Sequence, residues 1–133
     1  MVSKRATSKD AARRWAIDTA RLAEQRNCED ILVLDLREIS PVTDYFVICT
    51  GTSDRQMRSV AEELCEQGKA DDHRVWHRAG MDDSGGWIVL DFVDVVVHLF
   101  EQPQRRHYDL ELIWGEAPRV RWQRTTRRAK PAE

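Results

Sequence analysis

The sequence lacks any long apolar run and contains few cysteines. No window approaches the roughly 18 uninterrupted apolar residues of a membrane-spanning helix, and the opening MVSKRATSKDAARR has no apolar centre like that of a secretory signal. We therefore expect a cytoplasmic protein. The three cysteines, Cys28, Cys49 and Cys65, are odd in number and far apart, which argues against a disulfide framework or a CxxC metal site. No internal repeat is visible.

The length and composition are those of one globular domain. The chain has 133 residues, 41% hydrophobic and 33% charged, which separates it from disordered and fibrous proteins. A chain of this size buries roughly two-thirds of its unfolded surface. It can therefore fold without help from metals or disulfides.

The charge is unevenly distributed along the chain. Net charge is only −2, but residues 117–132 hold six of the 21 basic residues and no acid, leaving 15 basic and 22 acidic residues in 1–116. Residues 118–133 are therefore expected to form a basic, disordered tail. Its arginines, with Trp122 among them, could instead contact the phosphates and bases of a nucleic acid.

The hydrophobic pattern predicts one mixed α/β domain, a β-sheet flanked by helices, over residues 8–117. Residues 1–7 are expected to be a flexible N-terminus. Apolar runs predict the strands, and apolar residues three and four apart predict the helices. In chain order the predicted elements are a helix capped by Ser8, strands over 31–36 and 43–51, a helix from Ser53 to about Gly68, a strand over 74–77, a hairpin over 87–100 and a helical segment from Pro103. The short connection between the first two strands favours antiparallel pairing, and a crossover between them stays open.

The segment Gly51-Thr52-Ser53 allows two interpretations. A glycine loop that opens a helix can hold phosphate on its backbone N–H groups, as at a nucleotide-binding site. Ser53 and Gln56 also stand in the relation of a capping box, in which Ser53 merely caps the second helix. We favour the cap, because the paired Asp-Xaa-Asp that would hold magnesium is missing from the adjacent strands.

The stretch WIVLDFVDVVVHLF, residues 87–100, is apolar except for two carboxylates and one imidazole. A tight hairpin about residues 92 and 93 places Trp87 opposite His98 and Asp91 opposite Asp94. Side chains alternate, so the reverse face is uniformly apolar and must face the core. Phe-Val is a poor tight turn, so a wider bend that shifts the pairing stays open. The predicted outward face comprises Trp87, Val89, Asp91, Asp94, Val96 and His98.

Three interpretations of this outward face remain open at this point. A tryptophan beside aliphatic residues and charges is typical of a protein-binding anchor. Two carboxylates and a histidine could instead hold a divalent metal or act as acid and base. The third interpretation is purely structural, with Trp87 covered by the last helix and the acids ending their strands.

Several segments together resemble the ribosomal silencing factor family, also called the Iojap or DUF143 family. They are DILVLDL, TDYFVICTGTSDRQ and GWIVLDFVDVVVHLF, followed by Arg105, Tyr108, Leu110 and Trp114. The resemblance covers about residues 8–117. Two positions depart from the family pattern: Val93 stands where glycine is usual, and Ala79 stands where an acid commonly precedes Gly80.

The resemblance implies a nucleotidyltransferase-like fold without catalysis, metal or cofactor. It implies binding to the large ribosomal subunit at protein uL14, which blocks joining of the small subunit and lowers translation when nutrients are short. It also implies roles for particular residues. The expected partner-binding set is the outward face together with Arg105 and Tyr108, and the family-motif set is Asp44, Tyr45, Gly51, Ser53, Leu110 and Trp114. The face that binds uL14 could also bind a second copy, so a homodimer is a further expectation. With a ribosomal target, the basic tail over residues 118–133 is expected to make an auxiliary contact with ribosomal RNA.

Overall fold

The computed structural model describes residues 2–82, 85–108 and 115–124, with backbone alone for residues 2–9 and 107–108. Three helices and five strands fill these ranges. They are α1 (Val2–Gln25), β1 (Glu29–Asp35), β2 (Tyr45–Thr50), α2 (Asp54–Ala70), β3 (His77–Ala79), β4 (Trp87–Asp91), β5 (Val95–Phe100) and α3 (Gln102–Tyr108). The predicted mixed α/β class is confirmed.

The five strands form one mixed sheet in the order β1-β2-β5-β4-β3. β1 and β2 are antiparallel neighbours, as predicted, and β4 and β5 form the predicted antiparallel hairpin. β2 and β5 pair in parallel, so the chain must cross over between them. α2 lies in that crossover. The hairpin is thereby inserted beside β2 instead of extending the sheet in sequence order.

Both long helices lie on one face of the sheet, here called the inner face. α1 packs on it with Ala12, Trp15, Ala16 and Ala23, which are buried and recur three, four and seven residues apart, as predicted for the apolar face of this helix. The apolar face predicted for α2 is also confirmed, since Met57, Val60, Ala61 and Leu64 are buried. α1 packs on β1, β2 and β5, α2 packs on β4, and both helices form the main core with the inner face of the sheet.

The opposite side of the sheet, here called the outer face, carries a smaller apolar cluster. Leu34, Ile48 and Phe100 are buried there, next to Ala117, with Phe46 and Trp87 half-buried at the margin. The sheet therefore buries one face completely and the other in part. This asymmetry directs attention to the outer face as the place for a partner.

Residues 118–122 pack on the body of the domain, which corrects the predicted start of the tail at residue 118. The N–H of Asp35 donates to Pro118 O (2.8 Å), and the N–H of Val120 donates to Val33 O (2.8 Å). Trp122 is 7% exposed and donates its indole N–H to Ile31 O (3.2 Å), so it is a core residue and not a base-stacking one. Residues 125–133 of the predicted tail lie outside the described residues.

Two predicted boundaries also differ from the structure. Ser8 was expected to cap the first helix, but α1 already begins at Val2, so Ser8 lies within it. The third strand was expected over 74–77 and lies at His77–Ala79. It is a short, exposed edge strand with little burial to fix its position from sequence.

Replacing Trp122 by alanine should lower the free energy of unfolding by about 3 kcal/mol, because a large buried ring and its packing are lost. Arg121→Ala, which removes an exposed neighbour, should change it by less than about 0.5 kcal/mol. Urea denaturation of both variants measures the difference. Equal stability of Trp122→Ala and wild type would mean that residues 118–122 do not contribute to the core.

Candidate functional site

The β4–β5 hairpin is wider than the sequence suggested. Trp87 pairs with Phe100, Val89 with His98 and Asp91 with Val96, so the predicted register is wrong by two residues. The turn is closed by the N–H of Phe92 on Val95 O (2.9 Å). Because a shift of two residues preserves the alternation of side chains, the predicted division into two faces survives.

The apolar side of the hairpin faces the core, as predicted. Ile88, Leu90, Val95, Val97 and Leu99 are all buried in the main cluster under α1 and α2. The side chains of Trp87, Val89, Asp91 and Val96 lie on the outer face and are half-buried. Phe46 of β2 joins them, because the parallel pairing sets it beside Val96. We call Phe46, Trp87, Val89 and Val96 the apolar stripe.

The two carboxylates of the hairpin have different positions. Asp91 ends β4 and accepts the N–H of Val93 on Oδ1 (2.7 Å), so it supports the turn. Asp94 is exposed within the turn, and its carbonyl accepts the N–H groups of Asp44 and Tyr45 (3.0 Å each). The predicted pairing of Asp91 with Asp94 is therefore wrong, because the wider turn excludes Asp94 from the paired strands.

Val93 adopts a left-handed backbone conformation, with φ of 78°. A β-branched residue is strained there, because its side chain clashes with its own backbone, whereas glycine is not. The side chain of Val93 is 52% exposed, so it gains little from burial. The departure from glycine noted in the sequence therefore costs conformational energy in the turn.

His98 is buried, in contrast to its predicted place on an accessible surface. It is 6% exposed and lies against the rings of Phe46, Trp87 and Phe100, at centroid distances of 4.6, 6.0 and 6.1 Å. Burial lowers its pKa from 6.5 to about 4, so the ring is neutral near pH 7. A histidine enclosed in this way contributes packing to the outer face and does not offer a charge to solvent.

Trp87 is oriented by two neighbours. Its ring stacks on Phe100 at 4.8 Å, and its indole N–H donates to Nδ1 of His98 (3.2 Å). Because Nδ1 accepts, the neutral imidazole carries its proton on Nε2, which has no hydrogen-bond partner in the described ranges. Trp87 is thus half-buried with its polar atom already satisfied, so it presents an apolar edge.

The metal interpretation of the hairpin finds no support in the described part of the chain. Asp91 and Asp94 are separated by the turn, and His98 is enclosed by aromatic rings. Among residues 10–82, 85–106 and 115–124, whose side chains are described, no three His, Cys, Asp or Glu side chains lie close enough to hold a metal ion. His98, the candidate base, is buried and therefore cannot be reached by a substrate.

The Gly51 to Ser53 segment serves the start of α2. Ser53 accepts the N–H of Gln56 on Oγ (3.0 Å), and Gln56 Oε1 in turn accepts the N–H of Thr52 (2.9 Å), which confirms the cap. A Cβ at Gly51 would overlap Met57 Cγ and lie 2.7 Å from its Sδ. Glycine is therefore required by close packing, and the Ser53 hydroxyl is occupied by the helix.

Tyr45 of the family-motif set and Arg105 of the partner-binding set are buried and have structural roles. Tyr45 is 1% exposed, with the Arg37 guanidinium over its ring at 5.6 Å. Arg105, expected to face a partner, is 7% exposed and donates to Thr50 Oγ1 (2.8 Å) and to Asp30 O. The side chain of Tyr108, and all of Leu110 and Trp114, lie outside the described residues.

Sequence reasoning missed Phe46 and Phe100 as members of the outer face. Phe100 continues the alternation of β5 on this face, whereas the place of Phe46 beside the hairpin depends on the parallel pairing of β2 with β5. Exposed apolar side chains elsewhere were also missed. They are Ile39 (45% exposed) and Val42 (81% exposed) in the β1–β2 loop and Trp76 (73% exposed) just before β3.

Comparison with known proteins gives a consistent result. The family model described as "Ribosomal silencing factor during starvation" matches residues 9–133. The ribosomal silencing factor RsfS of Bacillus subtilis is 41% identical over 99 residues, 74% of this chain and 83% of that protein. The mouse protein named "Mitochondrial assembly of ribosomal large subunit protein 1" is 33% identical over 95 residues, 70% of this chain and 42% of that protein.

A solved structure from Chromobacterium violaceum has the same fold. Its TM-score is 0.71 at 27% identity, with 93% of this chain and 98% of that chain covered. The fold and the outer face thus define a two-layer α/β protein whose half-buried apolar stripe lies opposite its helices. The chain belongs to the ribosomal silencing factor family.

Restoring glycine at position 93 should raise the free energy of unfolding by about 1 kcal/mol. The released strain, about 1–3 kcal/mol, exceeds the added entropy of glycine in the unfolded chain, about 0.5–1 kcal/mol. Val93→Ala keeps a Cβ in the left-handed region and is the matched control, with little gain expected. Chemical denaturation measures both, and a Val93→Gly protein less stable than wild type would contradict the assignment of strain.

Acidification should destabilise the protein through His98. Its pKa is lowered in the folded state, so below pH 6.5 only the unfolded state binds the proton. The free energy of unfolding should therefore fall from pH 6.5 towards pH 4, by at most about 1.4 kcal/mol per pH unit. The measurement is urea denaturation across this range.

His98→Gln should remove this contribution to the pH dependence. His77→Gln, which removes an exposed imidazole, should retain it. If wild type and His98→Gln lose stability at the same rate between pH 6.5 and 4.5, protonation of His98 is not the cause.

Proposed function

We propose that the apolar stripe binds protein uL14 of the large ribosomal subunit and that the bound domain sterically excludes the small subunit. The observation that carries this proposal is the half-buried stripe of Phe46, Trp87, Val89 and Val96 on the side of the sheet opposite α1 and α2. Membership of the silencing factor family supports a ribosomal target. The name of the mouse relative supports the large subunit in particular.

The composition of the stripe suits a protein partner. Tryptophan is the residue most enriched at binding hot spots, because a rigid aromatic ring loses little entropy when it is buried. Phe100 and His98 already hold the ring of Trp87 in one orientation. Asp91 at the end of β4 and Asp94 in the turn supply charges at the rim, where they orient a partner without being desolvated.

Steric exclusion requires no catalytic group, and occupancy alone determines the effect. Free large subunits are withdrawn in proportion to how far the protein concentration exceeds the dissociation constant. The cytoplasm would be the place of action. Catalysis at the Gly51 to Ser53 loop is less well supported, because Ser53 caps α2 and Gly51 packs on Met57.

The test adds purified protein to separated ribosomal subunits and follows joining by light scattering, with large-subunit binding followed by sedimentation. Wild type should bind the large subunit and suppress joining. Val89→Arg, which places a charge in the stripe, and Trp87→Ala should each weaken binding about 30-fold, the effect of losing about 2 kcal/mol at a hot spot. Val42→Arg makes the same change at an exposed loop position and should bind like wild type.

Circular dichroism establishes that each variant is folded before its binding is compared. Unimpaired joining in the presence of saturating wild type would refute silencing by exclusion. If both stripe variants bind the large subunit as tightly as wild type, the contact with uL14 lies elsewhere on the domain. Because the same stripe would serve a homodimer, the free protein should dimerise in the ultracentrifuge and the dimer should compete with the large subunit; a strict monomer at high micromolar concentration would refute the dimer.

A further inference from the structure

A second candidate site lies at the edge of the sheet that β1 forms. A cleft of about 550 Å³ opens beside β1, which only β2 separates from strand β5 of the hairpin. The charged groups that line the cleft are Asp30, Arg105, Arg106 and Arg119. Three guanidinium groups and one carboxylate thus meet in one cleft of a protein whose overall charge is negative. The local charge is therefore opposite to the net charge.

A bulge in β1 shapes the wall of the cleft. The register of β1 against β2 shifts between Glu29 and Leu32, and Asp30 adopts a left-handed conformation with φ of 48°. Aspartate tolerates this conformation better than most residues. Buried Arg105 fixes the bulge by donating to Asp30 O and to Thr50 Oγ1. The exposed Asp30 side chain, which lines the cleft, is therefore attached to a backbone that Arg105 holds in place.

Arg106 and Arg119 supply the positive charge that remains accessible. Arg106 lies on α3, and Arg119 lies on the C-terminal segment, where it pairs with Leu34 of β1. Both side chains are exposed, and within the described ranges neither forms an ion pair. Two guanidinium groups on one cleft can hold a phosphate by paired, charge-assisted hydrogen bonds.

We propose that this cleft binds the sugar–phosphate backbone of RNA, with Arg106 and Arg119 on a phosphate and Asp30 accepting the hydrogen bond of a ribose 2′-hydroxyl. A site for phosphate alone gains nothing from a carboxylate, which repels it. A ribose hydroxyl provides the donor that the carboxylate needs, and DNA lacks that hydroxyl. The site is distinct from the apolar stripe and would add a second, electrostatic contact to a ribosome-bound protein.

The test measures binding of a fluorescently labelled single-stranded RNA to the whole chain by anisotropy at several salt concentrations. Wild type should bind at low salt. Arg106→Gln combined with Arg119→Gln should weaken binding at least tenfold and lower the slope of log affinity against log salt by roughly 0.7, the contribution of one phosphate contact on a single strand. Arg55→Gln, an exposed arginine on α2, is the matched control and should change affinity less than twofold.

Two further comparisons test whether the cleft recognises the ribose 2′-hydroxyl of RNA. DNA of the same sequence should bind more weakly than RNA, and Asp30→Asn, which tolerates the same backbone conformation, should reduce that difference. This assay measures RNA binding in the absence of ribosomes. Its result therefore does not depend on whether the apolar stripe binds uL14. The proposal is overturned if wild type does not bind RNA, if the double variant binds like wild type, or if Arg55→Gln loses as much affinity as the double variant. Competition by AMP as effective as that by RNA would also overturn it.

Discussion

The parallel pairing of β2 with β5 joins the two halves of the chain, and the outer face exists only because of it. The pairing sets Phe46 beside Val96, Ile48 beside His98 and Thr50 beside Phe100. It also brings the N–H of Gly51 to Phe100 O at 2.7 Å, so the end of β2 and the end of β5 lie together. Since parallel strands require a long crossover, α2 is placed on the inner face as a consequence. The packing of Gly51 on Met57 then anchors the start of that helix.

His98 shows how polar groups can serve an apolar surface. A buried imidazole has a free-energy cost, and the lowered pKa is the measure of that cost. In return, Nδ1 satisfies the indole N–H of Trp87, which would otherwise compete for water or for a partner's polar groups. The ring of Trp87 is thereby held in one orientation before any partner arrives. Preorganisation of this kind reduces the entropy that binding would otherwise lose.

Strand alternation allowed much of the fold and part of the candidate site to be predicted from the sequence. Trp87, Val89, Asp91 and Val96 were placed on the correct face, because a two-residue error in register leaves parity unchanged. Asp94 was misplaced because turn width depends on local geometry that Phe-Val does not specify. The cap at Ser53 was predicted correctly because its signal lies within four residues.

Residues whose environment depends on distant parts of the chain could not be predicted in the same way. His98 is enclosed by Phe46, which is 52 residues away in sequence, and Arg105 contacts Thr50 across 55 residues. Neither relation leaves a periodic signal near the residue itself. Trp122 differs, because Val120 and Trp122 alternate in a strand-like pattern that the surrounding arginines obscured.

The C-terminal segment over residues 118–122 also determines how the sheet ends. Its hydrogen bonds to Val33 and Asp35 occupy backbone groups along β1 that would otherwise be open at an edge. At the other edge, β3 is only three residues long and carries His77 and Arg78. Short, charged or covered edges discourage strands of other molecules from adding to a sheet. The sheet is thus protected at both edges against self-templated aggregation.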